Sequence, residues 1–349
     1  MSSKGMSRRR LIGAAAVAAA ALGTQAGGVQ PAGAQNAQAK KPGIKVGLYS
    51  ITFLGIWYRG KELSLEQVVR KAKEYGYDGV EIDGKRPHGN PNDWPTKRCK
   101  QLRSVADGEG VEIYAVAGNN DFSSPVCEHR ESQIVYMREL IRMASDLGAA
   151  TVRAFLAWPG VTRQPQLATY TIARNIWDHT HSLTTGGDDW SRCRDALAEC
   201  AKYAADYGVT LALQNHAPII TSYKDVLRMI KQVDSPQLKA CIDLPLLSDK
   251  SREAVFAVTN EVGPLEVLSH FGGEYERGAD GTVLNNGGNE PYLHFLRGLK
   301  QTGYNGYIGY ELCHPLPVVD GLTVGIEFAE KNAQLAAEFM RGMIKSAQS

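Results

Sequence analysis

From Lys45 onward, short β-branched or apolar runs alternate with longer segments of helical period. Such alternation predicts repeated βα units feeding a parallel sheet. Eight runs have strand character: 45 to 52 (KVGLYSIT), 78 to 83 (DGVEID), 111 to 117 (VEIYAVA), 150 to 157 (ATVRAFLA), 209 to 215 (VTLALQN), 238 to 243 (LKACID), 265 to 270 (LEVLSH) and 307 to 311 (YIGYE). Helices are expected between them.

Local punctuation agrees with that division. Ser64, with Gln67 three residues on, forms a capping box before an apolar-periodic run, and Gly76 is placed to end that helix. Gly148, Gly208 and Gly303 stand in the same position before later strands, each marking the αβ turn of one unit. Eight units predict a single α/β domain, a (β/α)8 TIM barrel over 40–349 with insertions. An open doubly wound sheet is disfavoured, because no Gly-x-Gly-x-x-Gly follows the first strand and Gly47 is isolated within it. The longest interruption, about 158 to 190, follows the fourth strand on the face where barrel sites form, and predicts a lid or substrate wall.

Composition adds limits. At 43% hydrophobic and 22% charged, the 349 residues can bury a large core. The net charge of +2 includes Arg8, Arg9 and Arg10, so the remainder is nearly neutral and offers no basic stripe for nucleic acid. Those arginines precede a weakly apolar run to Leu22 and small-residue sites such as Ala32-Gly33-Ala34 and Ala37-Gln38-Ala39. Residues 1–39 therefore read as a twin-arginine signal peptide and leader, which would engage the Tat translocon and deliver the folded protein to the periplasm or beyond. The apolar run is shorter than the roughly 20 residues of a spanning helix. Cys99, Cys127, Cys193, Cys200, Cys241 and Cys313 include no C-x-x-C pair, and free thiols are expected in a chain that folds before export. A homo-oligomer remains open.

The polar residues at the strand ends carry the chemistry. Strand five ends Gln214-Asn215-His216, strand six at Asp243, strand seven at His270 and strand eight at Glu311. In a barrel these converge on one rim, supplying an amide oxygen, two carboxylates and an imidazole. Mostly oxygen ligands with one nitrogen suit a divalent cation such as Mn, Mg or Co better than a structural zinc.

With these residues the chain, over about 45 to 340, resembles the xylose isomerase-like barrel superfamily, near its sugar phosphate isomerase and ketose 3-epimerase branches and its dehydratases. The resemblance implies metal ligands Glu, Asp, His and Glu at strands five to eight, matched here by Gln214, Asp243, His270 and Glu311, with Gln214 departing from the pattern. Family epimerases use the two glutamates as opposed bases, and Gln214 cannot take a proton. Glu311 is thus the expected base, removing a proton α to a carbonyl, with His216 either holding a substrate hydroxyl or acting as the second acid-base. The resemblance also nominates Glu81, Arg153 and Arg277 for substrate binding, with a surface role the alternative for Arg277; Trp57 and Trp158, on loops one and four, offer aromatic faces to wall a sugar ring, and His314 lies near the rim in a binding or a loop role. The expected function is a metal-dependent sugar isomerase or epimerase acting on a small-molecule carbohydrate. A lyase that eliminates from a keto-sugar or 3-keto-glycoside, and a non-catalytic carbohydrate-binding barrel, are the alternatives.

Overall fold

The computed structural model describes residues 43–164 and 167–348; the leader expected over 1–39 lies outside them. Eight parallel strands alternate with helices: β1 Lys45–Tyr49, β2 Gly79–Asp83, β3 Glu112–Ala117, β4 Thr151–Ala154, β5 Thr210–Gln214, β6 Leu238–Cys241, β7 Glu266–Gly272 and β8 Tyr307–Glu311. Each strand pairs with its sequence neighbours, and β1 pairs with both β2 and β8, closing the barrel. The (β/α)8 barrel expected from the apolar runs is the observed fold. Most expected strands are trimmed by one to four residues at their ends, because residues such as Asp243 and Asn215 leave the ladder to turn into the rim.

The helices are α1 Leu65–Tyr75, α2 Thr96–Glu109, α3 Cys127–Leu147, α4 Thr171–Thr180, α5 Gly186–Tyr207, α6 Tyr223–Val233, α7 Arg252–Val262, α8 Glu290–Gln301 and α9 Ile326–Ser346. Ser64 and Gln67 form the expected reciprocal cap of α1, and Gly76, Gly148 and Gly208 end α1, α3 and α5 with φ of 79°, 78° and 65°. Only glycine adopts that left-handed conformation cheaply, so the sequence marks the turns where the chain drops back to the sheet. Among the described residues no helix is long and apolar enough to cross a membrane. All six cysteines are free.

Two apolar layers position the site. The larger core lies between the sheet and the helix ring and includes Val46, Leu48, Val68, Leu140, Leu211 and Phe295. Inside the barrel, Tyr114 and Tyr307 stack with centroids 3.9 Å apart beside Ala115, Ala212, Cys241 and Leu268. The Tyr114 ring occupies space left by missing side chains: a Cβ on Gly47 would lie 2.4 Å from its hydroxyl, and one on Gly309 2.6 Å. This plug is the floor beneath the polar strand ends.

The roof is built from loops at the carboxyl ends of the strands. The expected insertion after β4 is a hairpin, Thr162–Gln164 with Leu167–Thr169, followed by α4. Further hairpins follow β7 (Tyr275–Arg277 with Val283–Asn285) and β8 (Val318–Val319 with Leu322–Thr323). The β4 insertion crosses the barrel mouth: Tyr170 donates a hydrogen bond to the Cys313 carbonyl beyond β8 and packs on Trp57 beyond β1, centroids 4.9 Å apart.

Gly47→Ala should destabilise the fold by about 1–3 kcal/mol through overpacking against Tyr114. Tyr114→Phe, which removes a buried hydroxyl lacking any partner among the described residues, should be neutral or stabilising. Urea unfolding midpoints of the two variants against the parent check both expectations.

Candidate active site

The rim brings together residues from strands on opposite sides of the barrel. Asp243 lies at its centre. Its Oδ1 accepts the His270 backbone N–H at 2.7 Å, its two oxygens sit 3.1 and 3.2 Å from His270 Nδ1, and Oδ2 accepts from the Gln214 amide. From the far side, Glu81 Oε2 stands 2.5 Å from His270 Nε2. Both ring nitrogens thus face carboxylates. Burial opposes the charged ring, but Asp243 and Glu81 outweigh it and push the His270 pKa up to about 10. Burial likewise tends to raise Asp243, yet the His270 charge beside it leaves the carboxyl below its ordinary range.

Arg153 completes the network. Its guanidinium approaches Glu81 at 2.9 Å without the alignment of a hydrogen bond, and reaches Glu311 Oε2 at 3.4 Å. It lies 4.4 Å from the centre of the Tyr49 ring, a cation–π contact in a dry environment. Glu81, Arg153, Gln214, Asp243 and His270 are all at least 98% buried, whereas Glu311 keeps a partly open carboxylate.

That carboxylate faces a cavity of about 50 Å³ lined also by Arg153, Gln214, His216, Trp158 and Tyr170. Burial, seconded by Arg153, pushes the His216 pKa down. Its ring is therefore neutral at pH 7; Nδ1 lies 2.5 Å from the Ala217 carbonyl and donates to it, leaving Nε2 as a free acceptor. Phe155 and Trp158 hold the ring edge-on at 5.3 and 4.9 Å.

Several expected site residues are distributed differently from the sequence reading. Glu311 pairs with Arg153, and a tight cluster brings Cys241 together with Asp243 and His270, their donor atoms within 4.8 Å of one another. This cluster could coordinate a divalent metal. Burial pushes the Cys241 thiol pKa well up, so it remains protonated and a poor ligand. Gln214 Oε1, by contrast, is buried without a partner among the described residues, an oxygen available to a cation. An amide oxygen, a carboxylate and an imidazole whose other nitrogen is held by Glu81 fit a divalent ion with its outer hydrogen-bond support.

Trp158 lines the cavity, whereas Trp57 lies outside it against Tyr170. Arg277 does not reach the site. The hairpin after β7 turns it outward, where Glu338 of α9 grips its guanidinium at 2.6 and 2.9 Å. His314 pairs with Glu274 at 3.1 Å.

The sequence model of the xylose isomerase-like TIM barrel matches residues 69–343. The chain belongs to that family. Fructoselysine 3-epimerase of Escherichia coli O157:H7 is 26% identical over 260 residues, covering 72% of this chain and 86% of its own. D-psicose 3-epimerase from Clostridium cellulolyticum H10 superposes with a TM-score of 0.64 at 20% identity, over 86% of this chain and 99% of that one. The 3-keto-D-glucoside 4-epimerase of E. coli gives 0.61 at 16% identity, over 85% and 99%. At these identities the two structures show a shared barrel.

For this member of the xylose isomerase-like family, sequence reasoning missed Tyr49, Lys85, Asn119 and Tyr170 at the cavity. Lys85 Nζ lies 2.8 Å from Asp83 Oδ2 and 3.0 Å from Asn119 Oδ1, and Tyr49 donates to Asp83 at 2.5 Å. A lysine two residues beyond the end of β2 was a readable signal. Tyr170 was not, since its place depends on how the β4 insertion crosses the mouth.

A His270 pKa raised above the unfolded value of about 6.5 stabilises the metal-free fold fully below that pH, and the contribution fades as pH climbs toward 10. Metal-free protein should therefore lose up to about 1.4 kcal/mol of stability per pH unit between pH 6.5 and 8.5, before buried thiols such as Cys99 add a slope of the same sign. Denaturation at several pH values, with His270→Gln showing a flatter profile, checks this.

Proposed function

We propose that this protein is a metal-dependent sugar isomerase or epimerase that removes a proton α to the carbonyl of a carbohydrate, with Glu311 as the base. The fold and the Asp243–His270 cluster support an isomerase or epimerase type of activity. The observation that carries the finer reading is the shared cavity of Glu311, Arg153, Gln214 and His216. One carboxylate, partly open, stands there beside a buried cation and a neutral imidazole.

Gln214, Asp243, His270 and Glu311 would hold the cation, Mn, Mg or Co by ligand type, and the bound ion would polarise the carbonyl and stabilise the negative charge that develops on it. Arg153 orients the Glu311 carboxylate and sets a second positive charge beside the developing oxyanion. Glu311 accepts the proton. Because Gln214 has no proton to give or take as an acid-base group, return of a proton on the other face falls to His216 after its free Nε2 has taken one up from solvent water, and Glu311 releases the abstracted proton to solvent to reset the site. Trp158 and Phe155 pack edge-on against that imidazole and fix its orientation.

The same first step serves a lyase. If His216 protonates a β-leaving group instead of carbon, a 3-keto-glycoside loses its aglycone, and Gln214 in place of a second carboxylate base favours giving this outcome a direct test. Incubation of metal-loaded protein with a ketose in deuterated water should label the carbon next to the carbonyl, and Glu311→Gln should lower that exchange about 100-fold or more. Unchanged exchange in Glu311→Gln refutes the assignment. Release of an aglycone from a 3-keto-glycoside identifies the lyase.

We further infer export through the Tat translocon to the periplasm or beyond, from the arginines and apolar run of residues 1–39. Replacing Arg9 and Arg10 together by lysine should hold the protein in the cytoplasm, as read by cell fractionation.

A further inference from the structure

Beyond the roof lies a second, larger space that the reaction does not use. A vestibule of about 380 Å³ is lined by Trp57, Tyr58, Arg59, Arg163, Leu316 and Leu322, from the segments that follow β1, β4 and β8. It therefore opens on the same rim as the reaction cavity. The two spaces share a wall: Tyr170 lines the inner one, Trp57 the outer, and the rings pack at 4.9 Å.

Three features of the vestibule are unexplained by folding alone. Trp57 is 96% buried, and its indole N–H has no hydrogen-bond partner among the described residues. Leu322 and Val318 present apolar surface at 48% and 59% exposure in the same wall. Arg59 and Arg163 are exposed, and among the described residues no acidic side chain lines the space and neither arginine makes an ion pair, although Arg59 Nε donates to the Thr323 carbonyl at 3.3 Å. An apolar trough flanked by two arginines that lack a carboxylate partner suits an apolar body carrying a carboxylate.

The geometry points to a subsite for the substituent of a glycosylated substrate, an aromatic or aliphatic aglycone bearing an acidic group, while the sugar's reacting carbons occupy the inner cavity. This assignment rests on the proposed carbohydrate chemistry of the Glu311 site. The inner cavity at about 50 Å³ has little room beyond the reacting end of a sugar, whereas the outer space is several times larger. Substrates with a substituent would thus be preferred over free monosaccharides, with the preference residing in binding.

Calorimetric titration of full-length protein with 4-carboxyphenyl β-D-glucopyranoside, phenyl β-D-glucopyranoside and D-glucose tests the subsite without requiring turnover. The carboxyphenyl glucoside should bind about tenfold more tightly than the phenyl glucoside, in keeping with one charge-assisted contact, and both more tightly than D-glucose. Arg59→Ala/Arg163→Ala should erase the difference between the two glucosides while leaving deuterium exchange on a free ketose unchanged. Equal affinity for all three ligands, binding of none of them, or a double variant that retains the carboxylate preference overturns the proposal. Deuterium exchange on a ketose is read separately, so loss of that activity with intact aglycone binding counts against the Glu311 chemistry and not against the subsite.

Discussion

Two carboxylates from opposite sides of the barrel share one buried imidazole, and the rest of the site is arranged around that contact. Glu81 on β2 and Asp243 beyond β6 hold the two nitrogens of His270, with all three side chains out of water. Taking such charges from solvent costs several kcal/mol each, and their mutual attraction repays this only when every partner is in place. The network is therefore weak as a source of stability and demanding as a constraint. It exists because barrel closure, driven by the apolar layer between sheet and helices, delivers the strand ends to one point.

Gln214 changes the charge balance of that point. Glu81, Asp83, Asp243 and Glu311 supply four carboxylates, against Arg153, Lys85 and the His270 imidazolium. A divalent ion displacing the imidazole proton would bring the formal charges level. A fifth carboxylate at position 214 would leave the loaded site negative. The glutamine thus matches a site that already holds the buried Arg153 guanidinium, and in the proposed reaction it leaves the acid-base work to Glu311 and His216. The stacked tyrosines below and the aromatic wall above keep these groups in a poorly solvated space, where charges act at greater strength.

The roof shapes the space above the site. Loops after β1, β4 and β8 meet over the barrel mouth through Trp57, Tyr170 and the Cys313 carbonyl, dividing a small polar chamber from a larger apolar one. Barrel enzymes vary their chemistry through such loops while the strands stay constant. The family match over 69–343 accounts for the barrel frame, above which the loops partition the mouth.

The sequence alone determined the eight βα units, because each strand, cap and terminal glycine obeys a local rule of period, hydrogen bonding or backbone conformation. It also determined the polar strand ends, since Gln214, Asp243, His270 and Glu311 each follow an apolar run whose direction in a barrel is known. Only the tertiary structure decided their partners. Arg153 takes Glu311, Glu81 takes His270, and Cys241 enters the cluster, all through contacts between strands far apart in sequence that no spacing encodes. The loops were the least legible. Trp57 and Arg277 sit in segments whose course depends on packing against other loops and on α9, so one was carried to the vestibule and the other to the surface.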